Sequence, residues 1–173
     1  AIYHGGIVIP LDTGFIDKTN QSTAPLGVLN GVEYVDSSTG KTVFKNYWPG
    51  SNNVSVDTNH PVKAFVFDDP MQLYVVVADG TNTNRATAQA DVFANCDMAS
   101  VNNGSTSTGQ SSDMLDISSA ATTNTLDVRI VGLYEDDANT DYSAVGHQYI
   151  VRLNGHFNTG TTIAVGTYAT TGI

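Results

Sequence analysis

The run "PLGVLNGVEYVDSSTGKTVFKNYWPGS", residues 25–51, sets three turn signals between short stretches of β-branched and aromatic residues. Asn-Gly and Thr-Gly supply residues that accept positive φ, and Pro-Gly cannot continue a ladder, so the chain has to reverse every few residues. "GVEYV" (31–35) and "KTVFKNY" (41–47) flank "DSSTG", the pattern of a β-hairpin with a longer loop. Similar punctuation bounds the apolar runs within residues 62–78 and at 126–134, 147–157 and 161–169, none of which has the spacing of an amphipathic helix. Seven or eight short strands of this kind predict an all-β chain, folded as a compact β-barrel or β-sandwich.

At 173 residues there is room for one ordinary domain. Residues 1–24, with Gly5-Gly6, Pro10 and the polar run "DKTNQST", read as an extended N-terminal arm. Residues 25–173 read as a single β domain with a Ser/Thr/Asn-rich loop insertion around residues 99–125. Within that loop "SDMLDI" is expected to form one helical turn capped by Ser112. "VKAFVFDDPMQLYVVVA" (62–78) reads as a hairpin at the centre of the core, because both of its strands are apolar at nearly every position. "RATAQADVF" (85–93) alternates polar and small residues and reads as a strand with one tight face and one wet face.

Charge removes several function classes. Seventeen acidic against seven basic residues leave a net charge of −10, and the basic residues are scattered, so no footprint for nucleic-acid phosphates exists. No run of eighteen apolar residues suggests a membrane span, and the first fifteen residues lack the basic and apolar regions of a secretory signal. A cytoplasmic product is expected. The Asn-x-Ser matches at Asn20, Asn53 and Asn103 would matter only in a secreted eukaryotic protein. Cys96 stands alone, which leaves no disulfide framework, and is expected to be buried and inert.

Motifs that carry chemistry are scarce. Asp68-Asp69 and Glu135-Asp136-Asp137 are paired carboxylates in turn contexts, where such groups are solvated rather than held at separated pKa values. Asp137, Asn139 and Asp141 stand at i, i+2 and i+4, the spacing that opens a calcium loop. Tyr142 and Gln148 then occupy the positions where that template needs Gly and Glu, so a solvated turn is preferred and a calcium ion kept as the alternative. His4, His60, His147 and His156 have no nucleophile elbow or reactive-cysteine signature beside them and read as surface or half-buried residues. No catalytic residue and no cofactor are expected.

The segments "PLGVLNGVEYVDSSTGKTVFKNYWPG", "VKAFVFDDP" and "ATTNTLDVRIVGLYEDDANTD" resemble a family of small virion proteins of tailed bacteriophages, particularly marine ones, over about residues 25–155. The resemblance implies a capsid decoration or cement protein, made in the host cytoplasm and bound to the outer face of the capsid. Its implied partner is the major capsid protein, with self-association as a homotrimer, no enzymatic activity and no catalytic residues. The alternative is a glycan- or receptor-binding β module of a head fibre or adhesin. That reading needs exposed aromatics converging on one face, with Trp48, Tyr47 and Tyr142 as candidates.

Overall fold

A computed structural model describes residues 1–159, and within them the chain is all-β apart from one short helix and two single 3-10 turns. Ten strands form two antiparallel five-stranded sheets, neither closed into a barrel. The sheets belong to two compact units: Ala1–Asp68 with Val101–Ser112, and Asp69–Ser100 with the described residues from Asp113. The apolar run expected at residues 161–169 lies outside the described residues.

The first unit is organised around one long strand. β1 (Ile7–Pro10), β2 (Ile16–Lys18), β3 (Gly27–Val35) and β4 (Thr42–Lys45) follow the order β2-β1-β3-β4, and β5 (Lys63–Phe67) also pairs with β3. β5 covers Val28–Glu33 of β3, overlapping the partners of β1 at one end and β4 at the other. A strand has only two edges, so β1 and β4 share the edge opposite β5. The β3–β4 hairpin is the one expected from sequence: Asp36 Oδ1 accepts from the amides of Ser38 (2.8 Å) and Thr39 (3.0 Å), and Gly40 closes the loop at φ 66°.

A bulge decides which β3 residues meet. Leu29 and Val32 are three apart and would face opposite ways on a regular strand, but a register shift between Leu29 and Gly31 returns both to one face beside Tyr34. With Val8 of β1 they form the buried cluster of this unit, and Trp48 packs edge-on against Tyr34 with ring centroids 5.7 Å apart. Gly27 (φ 154°) is required by contact: a Cβ there would sit 2.1 Å from the Phe67 carbonyl oxygen. Residues 1–24 contribute two strands and the fully buried Val8, so this stretch is part of the sheet as well as the chain's beginning. Lone "IVIP" among polar residues hid this, because four residues suffice for a strand that β2 and β3 flank on its two edges.

In the second unit the order is β6-β10-β9-β7-β8, built from β6 (Tyr74–Val77), β7 (Asn95–Ala99), β8 (Met114–Ala121), β9 (Val128–Leu133) and β10 (Gln148–Leu153). Alternate residues of β9 and β10, Val128 and Ile130 with Tyr149, Val151 and Leu153, are buried, as are Cys96, Met98 and Leu115 from β7 and β8. The edge strands curl toward each other and touch at a single parallel bridge, Ala78 to Leu115, where the Asp79 amide donates to the Leu115 carbonyl (3.0 Å).

Three local expectations change. Residues 62–78 do not form a hairpin: β5 pairs with β3, β6 pairs with β10, and the division between units falls between Asp68 and Asp69. Continuous apolarity signalled burial of both faces, yet Phe65, Phe67 and Val75 are exposed. "RATAQADVF" forms a helix, α1 (Arg85–Ala90), rather than a strand. Asn84 caps it reciprocally: its Oδ1 accepts from the Ala86 and Thr87 amides, and Thr87 Oγ1 accepts from the Asn84 amide. The alanines that produced the period-two pattern are strong helix formers. "SDMLDI" is the start of β8, with Leu115 paired to Met98 and fully buried. The preceding part of the Ser/Thr/Asn-rich loop, Val101–Ser112, belongs to the first unit, where Gly109 O accepts from the His4 amide (2.9 Å) and Thr108 O from Asn46 Nδ2 (2.8 Å).

Candidate functional site

A dense polar constellation lies in the second unit. Tyr149, fully buried on β10, donates its hydroxyl hydrogen to Asp91 Oδ2 (3.1 Å) at the end of α1 and accepts from Asn82 Nδ2 (2.7 Å). The same Asn82 nitrogen lies 3.1 Å from Asp91 Oδ2 and 3.5 Å from His147 Nε2. His147 Nδ1 is 3.1 Å from the Ala144 carbonyl, an acceptor only, so Nδ1 carries a hydrogen. The imidazole is packed edge-on between Tyr142 and Tyr149. Burial, then the neighbouring Asp91 carboxylate, pushes the Tyr149 phenol well above its ordinary value, which keeps it a hydrogen donor. Such a network fixes β10, α1 and the turn around Ala144 in one arrangement.

The other candidates are also taken up locally. Burial, followed by Asp91, pushes the Cys96 thiol up to about 12, leaving no thiolate near neutral pH. Of the calcium alternative, Asn139 is buried with its Nδ2 donating to the carbonyls of Tyr134 (2.6 Å) and Gln148 (3.0 Å) and its Oδ1 accepting from the Gln148 amide (2.8 Å). Asp141 Oδ1 accepts from the amide (3.0 Å) and hydroxyl (2.6 Å) of Ser143, which hold its carboxyl below the ordinary range. Asn139 therefore joins the ends of β9 and β10, while Asp141 makes a turn. Among the described residues, no group of three or more His, Cys, Asp and Glu side chains is placed to hold a metal ion, Asp137 included.

Asp69 and Asp136 accept amide hydrogens from Met71 and Ala138, and Glu135 pairs with Arg85 on the surface. His60 pairs with Asp57 (2.9 Å) and His4 Nδ1 lies 3.0 Å from the Asn30 carbonyl. His147 and His156 are buried, contrary to the expectation of surface or half-buried histidines: His147 enters β10 with its ring between Tyr142 and Tyr149, and His156 lies in the turn after that strand. The aromatics named for a glycan face do not share one: Tyr142 is buried in the second unit, whereas Tyr47 stacks on Tyr3 (5.7 Å) and Trp48 packs on the core in the first.

What the chain does present is apolar surface. On β5 Lys63, Phe65 and Phe67 point away from the core, opposite Ala64 and Val66, and the register brings Phe44 of β4 to the same side across Glu33. Phe44, Phe65 and Phe67 are 68, 45 and 46% exposed, and the Glu33–Lys63 ion pair (2.9 Å) lies beside Phe44 and Phe65. Gly31, directly across from Phe65, adds no side chain to cover it. The opposite face of this sheet opens into an apolar groove of about 480 Å³, whose floor is Leu29 and Val32 and whose walls include Ile2, Phe15, Trp48 and Ala64. In the second unit Phe93 is 78% exposed and held at φ 75°, with its amide donating to the Ile130 carbonyl (2.9 Å).

None of these surfaces stood out in the sequence. The available signal was the parity of "KAFVF", which puts both phenylalanines on the side of Lys63 and the smaller Ala and Val on the other. Comparison with family models, with curated proteins and with solved structures gives no match.

Proposed function

We propose that this chain is a structural virion protein that decorates the outer face of a phage capsid and stabilises the coat lattice. The observation that carries the reading is the outward face of the first sheet, where Phe44, Phe65 and Phe67 stand exposed and the Glu33–Lys63 ion pair lies beside Phe44 and Phe65. Exposed apolar patches rimmed by charge are characteristic of docking surfaces, and aromatic anchors contribute a large share of binding energy at such sites. The sequence resemblance supplies the partner, a coat subunit, and the acidic total charge suits a position away from packaged nucleic acid. In this reading the chain works as a homotrimer, uses no cofactor and performs no catalysis.

Purified protein mixed with mature heads lacking it and sedimented through a cushion tests the proposal. Saturable binding near one copy per coat subunit, with heads that resist disruption at a higher temperature, is the expected result. Binding of only a handful of copies, at vertices or tail, transfers the weight to a fibre or adhesin.

A further inference from the structure

Two arginines face each other in the more acidic of the two units. The second unit carries eleven acidic residues and three arginines, Arg85, Arg129 and Arg152. Arg85 has Glu135 as its partner. Arg129 of β9 and Arg152 of β10 are instead direct cross-strand partners. Their neighbours Val128, Ile130, Val151 and Leu153 are buried, so both arginines lie on the outward face of the sheet. Like charges placed opposite each other in a sheet are destabilising. Among the described residues, no carboxylate makes an ion pair with either arginine to offset that cost. Asp127, two residues before Arg129, turns its Oδ2 to the Met98 amide (2.9 Å), and Asp97 and Asp116 oppose each other on β7 and β8.

The pair is also held in place. Asn95 of β7, the partner of Arg129 on its other side, is buried, and its Oδ1 accepts from Arg129 Nε (3.3 Å) and from Asn154 Nδ2 (3.0 Å). Asn154 Nδ2 donates to the Leu126 carbonyl as well (3.0 Å), so the acceptor that orients Arg129 is itself fixed. This leaves the Nη groups of Arg129 for another acceptor. Arg152 Nη1 reaches Met71 Sδ (3.6 Å), a weak acceptor that leaves most of its guanidinium unused. Two forks of N–H donors on neighbouring strands match a group with two or more oxygens. Beside them, Val131 and Val75, the partner of Ile150 on β6, are exposed.

We infer that Arg129 and Arg152 form a binding site for one oxyanionic group, a carboxylate or a phosphate. A single pair of arginines in a chain of net charge −10 fits a discrete anion and not a nucleic-acid backbone. The exposed valines beside the pair favour an anion carried on a protein surface, an acidic side chain with apolar neighbours. That the protein is a coat subunit rests on the decoration reading; the site itself does not.

The experiment is an NMR titration of the full chain with inorganic phosphate, and separately with acetate, at constant ionic strength, for the wild type and Arg152→Gln. In the wild type the Nε–H signals of Arg129 and Arg152 are expected to shift together and to saturate with either anion. Arg152→Gln is expected to fold and to bind about tenfold more weakly or less, the effect of losing charge-assisted hydrogen bonds. If Arg152→Gln does not fold, Arg129→Gln takes its place. Shifts that rise without saturating, or an equal titration in the folded variant, would overturn the site. Sedimentation with heads then identifies the source of the anion. Head binding that falls about tenfold in Arg152→Gln, and that phosphate competes in the wild type, assigns the anion to the coat. Undiminished head binding by the variant overturns that assignment and leaves free phosphate as the ligand. Heads that bind neither protein would sink the decoration reading, while the titration still decides the site.

Discussion

The two units use the same number of strands in opposite ways. In the first, a sheet buries Val8, Leu29, Val32 and Tyr34 on one face, leaves three phenylalanines on the other, and opens part of its core as a groove. In the second, the sheet curls until its edges touch, and its interior includes the Asn82–Asp91–Tyr149 hydrogen-bond set with His147 packed against it. Both units leave large apolar side chains exposed, Phe44, Phe65 and Phe67 on one face of the first and Met71, Leu73, Val75 and Phe93 among those of the second, but the second also commits polar groups to its interior. The difference teaches that the two interiors are closed by different means, apolar packing alone in the first and packing with a hydrogen-bond network in the second.

The largest effect is expected from emptying the first core. Leu29→Ala should destabilise the first unit by about 2–5 kcal/mol through lost burial and the cavity left behind. Amide exchange should then accelerate in β1 and β3 while β9 and β10 keep their protection. Equal acceleration in both sheets would mean that the division into two units has no energetic counterpart.

In the second unit, Tyr149→Phe removes one hydroxyl and leaves Asp91 and Asn82 short of a partner, so a loss of about 1–3 kcal/mol is expected. Denaturant titration followed by Tyr and Trp fluorescence measures it; a neutral result would show that the network is passive filling. Phe93→Gly acts in the other direction. Relief of the left-handed strain should raise stability by about 1 kcal/mol, visible as a higher melting temperature, whereas a lower one would mean that the ring packs in the monomer.

Smallest is a charge effect on β7. Burial, then the neighbouring Asp127 carboxylate, raises the Asp97 carboxyl above the ordinary carboxylate range, so the folded state binds its proton more tightly than the unfolded state does. This residue therefore favours folding at a pH below its unfolded value, and the benefit is lost as pH rises through its folded value. Asp97→Asn should be slightly more stable than the wild type at neutral pH, with the advantage shrinking on acidification; an advantage that grows with acid would reverse the sign. Melting curves from pH 3 to pH 7 report it.

The sequence announced the β class and the β3–β4 hairpin because both are written locally, in turn residues and in the alternation beside them. Pairings of β5 and β6 were not so written: strands apolar on both sides specify burial without specifying a partner, and the two runs beside Asp68-Asp69-Pro70 went to different sheets. α1 was misread because alanine at every second position mimics a strand, while the informative residues were Asn84 and Thr87. For the surfaces, Phe65 and Phe67 looked like core and Phe93 like a strand end. Their exposure follows from sheet register and from one positive φ, neither of which a single sequence displays.

The most direct test of the docking role is a binding isotherm on heads for wild type against Phe65→Asp. A charge at the centre of the three-phenylalanine face should weaken binding by about thirtyfold or more, the effect of losing a residue worth about 2 kcal/mol, without lowering the melting temperature. Unchanged affinity with a folded variant would contradict the assignment of this face to the coat.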